Sequence, residues 1–153
     1  HPNMVRYPHG FTTCEVSMFD ATQYATLRAV VDCMIPADEA PGGLMAGVDR
    51  YLIYFLQHDG VGFVATYQSA LTALQHEAEL RHNCGFAQLT QAQATDLLQA
   101  LERNDTQAVW LTSPSAFVAT MAEHCAEGFY ADPRQGGNAN GVAWIGIGFE
   151  ERR

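Results

Sequence analysis

The side chains best able to do chemistry in this 153-residue chain are six histidines and four cysteines, and their spacing limits what they do. Metal ligands on one helix face need i,i+3 or i,i+4 spacing. His1, His9, His58, His76, His82 and His124 contain no H-x-x-x-H or H-x-H pair. They read as isolated surface histidines. Glu123-His124-Cys125 points three ways around a helix. Cys125 has a histidine beside it, but helical neighbours diverge by about 100°. Cys125 also falls on an apolar stripe, where a thiol is a structural hydrophobe and not a nucleophile. No G-x-S-x-G elbow occurs, and Ser113-Pro114-Ser115 reads as a helix start. The carboxylate pairs Asp38-Glu39 and Glu150-Glu151 sit in a proline-bounded turn and at the tail, and both read as solvated. Gly136-Gly137-Asn138 lacks the preceding strand and following Lys-Ser/Thr of a phosphate loop. These residues predict no metal site, no bound cofactor and no catalytic group.

The informative pattern is a shaped segment without reactive groups. It runs Gly128-Phe129-Tyr130-Ala131-Asp132-Pro133-Arg134-Gln135-Gly136-Gly137-Asn138, then Trp144-Ile145-Gly146-Ile147-Gly148-Phe149. Gly and Asn tolerate positive φ and Pro fixes φ, so this composition asks for a particular backbone path. Tyr130, Asp132, Pro133, Gly136, Gly137, Asn138 and Trp144 are the candidate partner contacts. An alternative makes Tyr130, Asp132, Asn138 and Trp144 the lining of a pocket in a stand-alone small enzyme or carbohydrate-binding domain. Aromatic faces with Asp and Asn suit sugar hydroxyls.

Helices must position these groups. Residues 1–10, with Pro2, Pro8 and Gly10, read as an extended arm. Thr12-Thr13-Cys14-Glu15 is a capping box, with Phe11 and Val16 placed as its hydrophobic staple. The stripe Val16, Phe19, Gln23, Leu27, Val30, Val31, Met34 continues one helix to Pro36. A second helix spans Leu44 to Gln57, with Leu44, Met45, Val48, Tyr51, Leu52, Phe55 and Leu56 inward, and stops at His58-Asp59-Gly60. A third spans about Val61 to His82, burying Phe63, Val64, Tyr67, Ala70, Leu71, Leu74 and Ala78, with Glu77 and Arg81 paired on its outer side. After Asn83-Cys84-Gly85, with Phe86 and Leu89 as anchors, Thr90-Gln91-Ala92-Gln93 opens a fourth helix to about Arg103. Asn104 to Thr112 is irregular, with Val109, Trp110 and Leu111 expected to be buried. Ser113 caps a fifth helix that runs to about Glu127. The fold expected is all-α: one domain over 1–153, a bundle of about five helices with an irregular Gly-rich C-terminal segment packed over it.

Composition narrows the partners. The formal net charge is −9, with eight Arg scattered singly apart from Arg152-Arg153, and no Lys. Nucleic acid and anionic membranes need clustered cations and are excluded. No apolar run reaches the ~18 residues of a membrane span. Charged residues are only 16% of the chain, so some apolar surface is expected to meet a partner. The chain opens at His1, which reads as a processed or trimmed form whose export signal is not visible. Cys14 and Cys33 on one helix would stand about 28 Å apart at ~1.5 Å per residue. That leaves 14–84 with 33–125, or 14–125 with 33–84, or free buried thiols.

These residues resemble the gluconate 2-dehydrogenase subunit 3 family, the small or gamma subunits of bacterial membrane-associated FAD-dependent sugar and polyol dehydrogenases. The likeness lies in Phe11-Thr12, Ile35-Pro36-Ala37-Asp38, Pro41-Gly42-Gly43, Gly47-Val48-Asp49 and Phe86-Ala87-Gln88-Leu89. It lies above all in Gly128-Phe129-Tyr130-Ala131-Asp132-Pro133 with Gly136-Gly137-Asn138, Trp144 and the closing Ile145-Gly146-Ile147-Gly148-Phe149. Gln135 departs from the aromatic usual in the family, which alters the local docking surface. The resemblance implies a non-catalytic chain that binds, stabilises and helps export a large flavoprotein of the glucose-methanol-choline (GMC) oxidoreductase type. It implies twin-arginine export, FAD in that partner, haem in a multihaem cytochrome c subunit, and a periplasmic location held at the inner membrane through partners.

Overall fold

The computed structural model describes residues 18–38 and 41–131. Five α-helices occur among them: α1 (Ala21–Met34), α2 (Val48–Gln57), α3 (Val64–His82), α4 (Gln91–Glu102) and α5 (Pro114–Phe129). Single 3₁₀ turns at Val61–Phe63 and Phe86–Gln88 join them, and no strand occurs among the described residues. The all-α class expected from the sequence is what forms. The extended arm at 1–10, the capping box at Thr12 and the C-terminal segment from Asp132 lie outside the described residues.

The first helix starts later than its apolar stripe suggests. Met18 and Phe19 lie in a turn, and Asp20 caps α1. Asp20 Oδ1 accepts the Gln23 N–H at 2.7 Å, and the Gln23 side chain accepts the Asp20 N–H at 2.9 Å. This capping box satisfies two otherwise orphaned donors. One helix from Thr12 to Met34 therefore does not exist, and the Cys14–Cys33 spacing derived from it falls with it. Cys33, Cys84 and Cys125 are free thiols, so neither full disulfide pairing forms. Cys33 Sγ instead lies 3.5 Å from Thr95 Oγ1 on α4.

The connection from α1 to α2 is a close-packed loop. Gly43 N–H donates to Ile35 O at 2.7 Å, folding the chain back over the end of α1. A Cβ on Gly42 would stand 2.7 Å from Ala37 N, so only glycine admits this approach. Gly47 enters α2 with φ 78°, in the left-handed region that favours glycine. Helix α2 thus begins at Val48, four residues after Leu44, and Met45 is 65% exposed instead of packed inward. Just inside the start of α2, Asp49 is buried. It accepts from Tyr24 Oη at 3.1 Å and Arg28 Nε at 3.2 Å, tying α2 to α1.

Helix α1 packs on α3, and α5 packs on α2 and α4. Leu27, Val30 and Val31 of α1 are buried with Leu52, Ile53 and Leu56 of α2, Tyr67, Leu71 and Leu74 of α3, Leu97 and Leu101 of α4, and Phe117 and Met121 of α5. Asn83 ends α3 with φ 59°, Thr90 and Gln93 form the expected capping box of α4, and Ser113 with Pro114 opens α5.

Glu77 corrects the sequence reading most sharply. It is 0% exposed, not on the outer side of α3. Its carboxylate accepts Gln107 N–H at 2.9 Å, Ala108 N–H at 2.7 Å, Trp110 Nε1–H at 3.2 Å and Arg81 Nε–H at 2.9 Å. Burial would raise its pKa, but the donors from Ala108, Arg81, Gln107 and Trp110 outweigh it and hold the carboxyl below its ordinary range. The irregular segment 104–112 is therefore clamped to α3. Replacing this carboxylate leaves buried donors unsatisfied, which costs about 1–3 kcal/mol per group. Glu77→Gln is expected to lower unfolding free energy by about 2–4 kcal/mol and to shift Trp110 emission toward a more solvated state. Denaturant titration followed by fluorescence checks both, and a loss within about 0.5 kcal/mol would contradict the clamp.

Candidate partner-docking site

The predicted contact segment begins where α5 ends. The apolar stripe Phe117, Val118, Met121, Cys125 seats α5 in the core and carries its last turn over α2. Gly128 is buried there. A Cβ on it would stand 2.6 Å from Tyr51 Cδ2, so glycine permits the close approach of α5 to the α2 aromatic. Phe129 packs against the core cluster, and Tyr130 caps the helix at 47% exposure with its ring edge-on to Phe129, centroids 5.1 Å apart. Tyr130 N–H donates to Ala126 O at 3.3 Å and Ala131 N–H to Gly128 O at 3.4 Å, which closes the last turn. Tyr130 is thus displayed to solvent from a fixed helix end. Asp132, Pro133, Gly136, Gly137, Asn138 and Trp144 lie outside the described residues.

Among the described histidines and cysteines, His124 and Cys125 are committed to packing. His124 is 5% exposed and not a surface histidine; His58, His76 and His82 are exposed as expected. His124 Nδ1 lies 2.8 Å from Tyr67 Oη, and its ring sits against Phe55 and Phe63 at centroid distances of 4.7 and 4.8 Å. Burial lowers the His124 pKa against the opposing pull of Glu127 and Glu123, and burial also pushes the Tyr67 phenol up. The pair therefore rests as a neutral ring and a neutral phenol. Cys125 is buried beside it, its thiol pushed up to about 12 by burial, which makes it a poor nucleophile. Among the described residues no group of three His, Cys, Asp or Glu side chains is placed to hold a metal ion.

Sequence reasoning missed Glu77 and His124, yet both carry a signal. Position 77 falls three residues after Leu74 and His124 falls three after Met121, so each interrupts a buried stripe. A polar residue at a stripe position is a candidate buried hydrogen-bonding group.

The family model for gluconate 2-dehydrogenase subunit 3 matches residues 21–150. The chain belongs to that family. By this membership it is a subunit of a dehydrogenase complex. No curated protein and no solved structure matches it. Several motif residues of the subunit 3 resemblance have structural roles here: Gly42 and Gly43 close the connector, Asp49 ties α2 to α1, Phe86 is buried, and Gly128 seats α5 on α2.

The His124 site makes stability pH-dependent. Its folded pKa lies below the ordinary 6.5, so above that pH both states are neutral and the packing contributes in full. As pH falls below 6.5 the unfolded chain binds the proton first, and stability declines through the folded value. Glu77, also depressed, adds a second decline below its ordinary 4.5. His124→Gln is expected to flatten the upper limb and leave the lower one. Unfolding free energies from pH 8 to about pH 2 check this, and an unchanged upper limb would assign the dependence to another group.

Proposed function

We propose that this chain is a non-catalytic accessory subunit that binds, stabilises and helps export the large FAD-dependent subunit of a GMC-type sugar or polyol dehydrogenase. The family match over residues 21–150 carries the reading. The fate of the polar core supports it. Asp49, Glu77 and His124 are each held by neighbours within the fold, so no acid, base or nucleophile among them faces a solvent-filled cleft. In this reading the chain holds no cofactor: FAD sits in the large subunit, and a multihaem cytochrome c subunit takes the electrons. Tyr130 begins the docking surface, continued by Asp132, Pro133, Gly136, Gly137, Asn138 and Trp144. The complex works on the periplasmic side after twin-arginine export. No helix among the described residues is long and apolar enough to cross a membrane. In this reading attachment to the inner membrane runs through partners.

The test is capture from the source organism with a tagged chain. The large subunit should co-purify with about one flavin per complex, while the chain purified alone shows no flavin absorbance and no turnover with a sugar and an artificial acceptor. Trp144→Ala and Gly137→Val should lower recovered flavin about tenfold with little change in the isolated chain's melting temperature. Turnover by the isolated chain, or sugar binding at the Tyr130 end without any captured flavoprotein, would overturn the reading.

A further inference from the structure

We propose that Asn104 is an N-glycosylation site, its Nδ2 taking an oligosaccharide from a polyprenyl-diphosphate carrier after export; this rests on the periplasmic location proposed above. Asn104-Asp105-Thr106 is an N-x-T triplet, and none of Asn3, Asn83, Asn138 and Asn140 has Ser or Thr two places on. Glycosyl transfer to Asn requires that hydroxyl residue, a residue other than proline between the two, and a surface loop in an exported chain. Glu102 adds an acid two places before Asn104, a further mark that bacterial transferases of this class read.

The fold puts this triplet within reach of a transferase. Helix α4 ends at Glu102, and Asn104 follows with φ 55°, in the left-handed region where Asn is tolerated. Glu102, Asn104 and Asp105 are all exposed. The two ends of the Asn104 amide are divided between tasks. Its Oδ1 accepts the Ser115 N–H at 3.1 Å, while its Nδ2 donates to no group among the described residues. Glycosylation uses only the nitrogen. The modified amide keeps its carbonyl oxygen and one N–H, so the bond to Ser115 survives. Three bonds hold the backbone here: Asn104 N–H to Leu101 O and Asp105 N–H to Ala100 O, both at 2.9 Å, and Arg81 Nη2 to Asp105 O at 2.7 Å. Exposed bonds at a helix end open locally at small cost. The triplet can therefore enter a transferase groove while the bundle stays folded.

The transfer balances without an oxidant or reductant. Asn104 Nδ2 attacks the anomeric carbon of the first sugar, and the bond from that carbon to the diphosphate oxygen breaks. Polyprenyl diphosphate leaves with the electron pair, and Nδ2 gives up one proton. The site is also compatible with docking. Asn104 is bonded to the first turn of α5, and Tyr130 caps the other end of that 16-residue helix. The two ends stand about 24 Å apart at ~1.5 Å per residue. A hydrophilic sugar at Asn104 leaves the Tyr130 end clear.

The experiment recovers the tagged chain from separated periplasmic and cytoplasmic fractions of its source cells, and measures intact mass and the masses of its peptides. The expected result is an added oligosaccharide mass on the periplasmic chain, carried by the peptide that contains Asn104. Asn104→Gln and Thr106→Ala should both lose it, and Thr106→Ser should retain it. Asn104→Gln also disturbs the left-handed turn, whereas Thr106→Ala leaves that turn and the Ser115 bond in place. An unchanged melting temperature for Thr106→Ala shows that its loss of sugar is not a folding defect. If the periplasmic chain has its bare mass, or the added mass persists in Thr106→Ala, the assignment is overturned while the accessory reading stands. If the chain is found only in the cytoplasmic fraction, the export reading itself fails and takes this inference with it.

Discussion

A carboxylate on the dry face of α3 is the constraint from which the shape of half the molecule follows. A charge without solvent costs several kcal/mol unless donors surround it. Glu77 has no solvent exposure, and its donors come from a loop with no regular structure of its own. The loop cannot leave α3 without stranding that charge, and the charge would not be tolerated without the loop. Because the loop joins α4 to α5, the same contact sets where α5 starts. Trp110, held by Glu77, reaches across to Phe117 on that helix. An element that composition alone marks as irregular is in this way as fixed as a helix end.

The other buried polar groups follow the same logic on a smaller scale. Asp49 joins α2 to α1 through Tyr24 and Arg28, and His124 joins α5 to α3 through Tyr67. Each bond joins two helices that hydrophobic contact alone would leave free to slide. Buried polar partners with fixed geometry favour one packing over its neighbours. The cost is that the strongest acids and bases of the core are used for assembly. Among the described residues, the solvent-facing apolar groups include Tyr130 at a helix end and Val109 and Leu111 on the clamped loop.

Much of this architecture is legible in the sequence, for identifiable reasons. Asn83, Thr90 with Gln93, and Ser113 with Pro114 mark helix boundaries because each satisfies orphan backbone groups locally. The start of α1 is harder to read. Thr12–Glu15 and Asp20–Gln23 both fit a capping box, and the apolar stripe runs through both. Phe19 and Tyr24 occupy staple positions for the second box and both are buried, a pairing that spacing alone does not single out. The clamped loop is illegible for a different reason. Val109, Trp110 and Leu111 are all apolar, and only the distant Glu77 decides that the middle one turns in. Of the candidate docking residues, Tyr130 stands where a helix end displays it, while those from Asp132 onward lie outside the described residues.

The central claim is that the chain supports a dehydrogenase without taking part in its chemistry. The most direct measurement separates the large flavoprotein subunit from this chain and follows its turnover per flavin against time at the working temperature, with and without the chain added back. Initial turnover per flavin should be the same in both samples, while the half-life of activity should fall several-fold without the chain. If turnover is absent at the first time point and returns in proportion to added chain, with flavin still bound throughout, then the chain contributes to the chemistry and the account is contradicted.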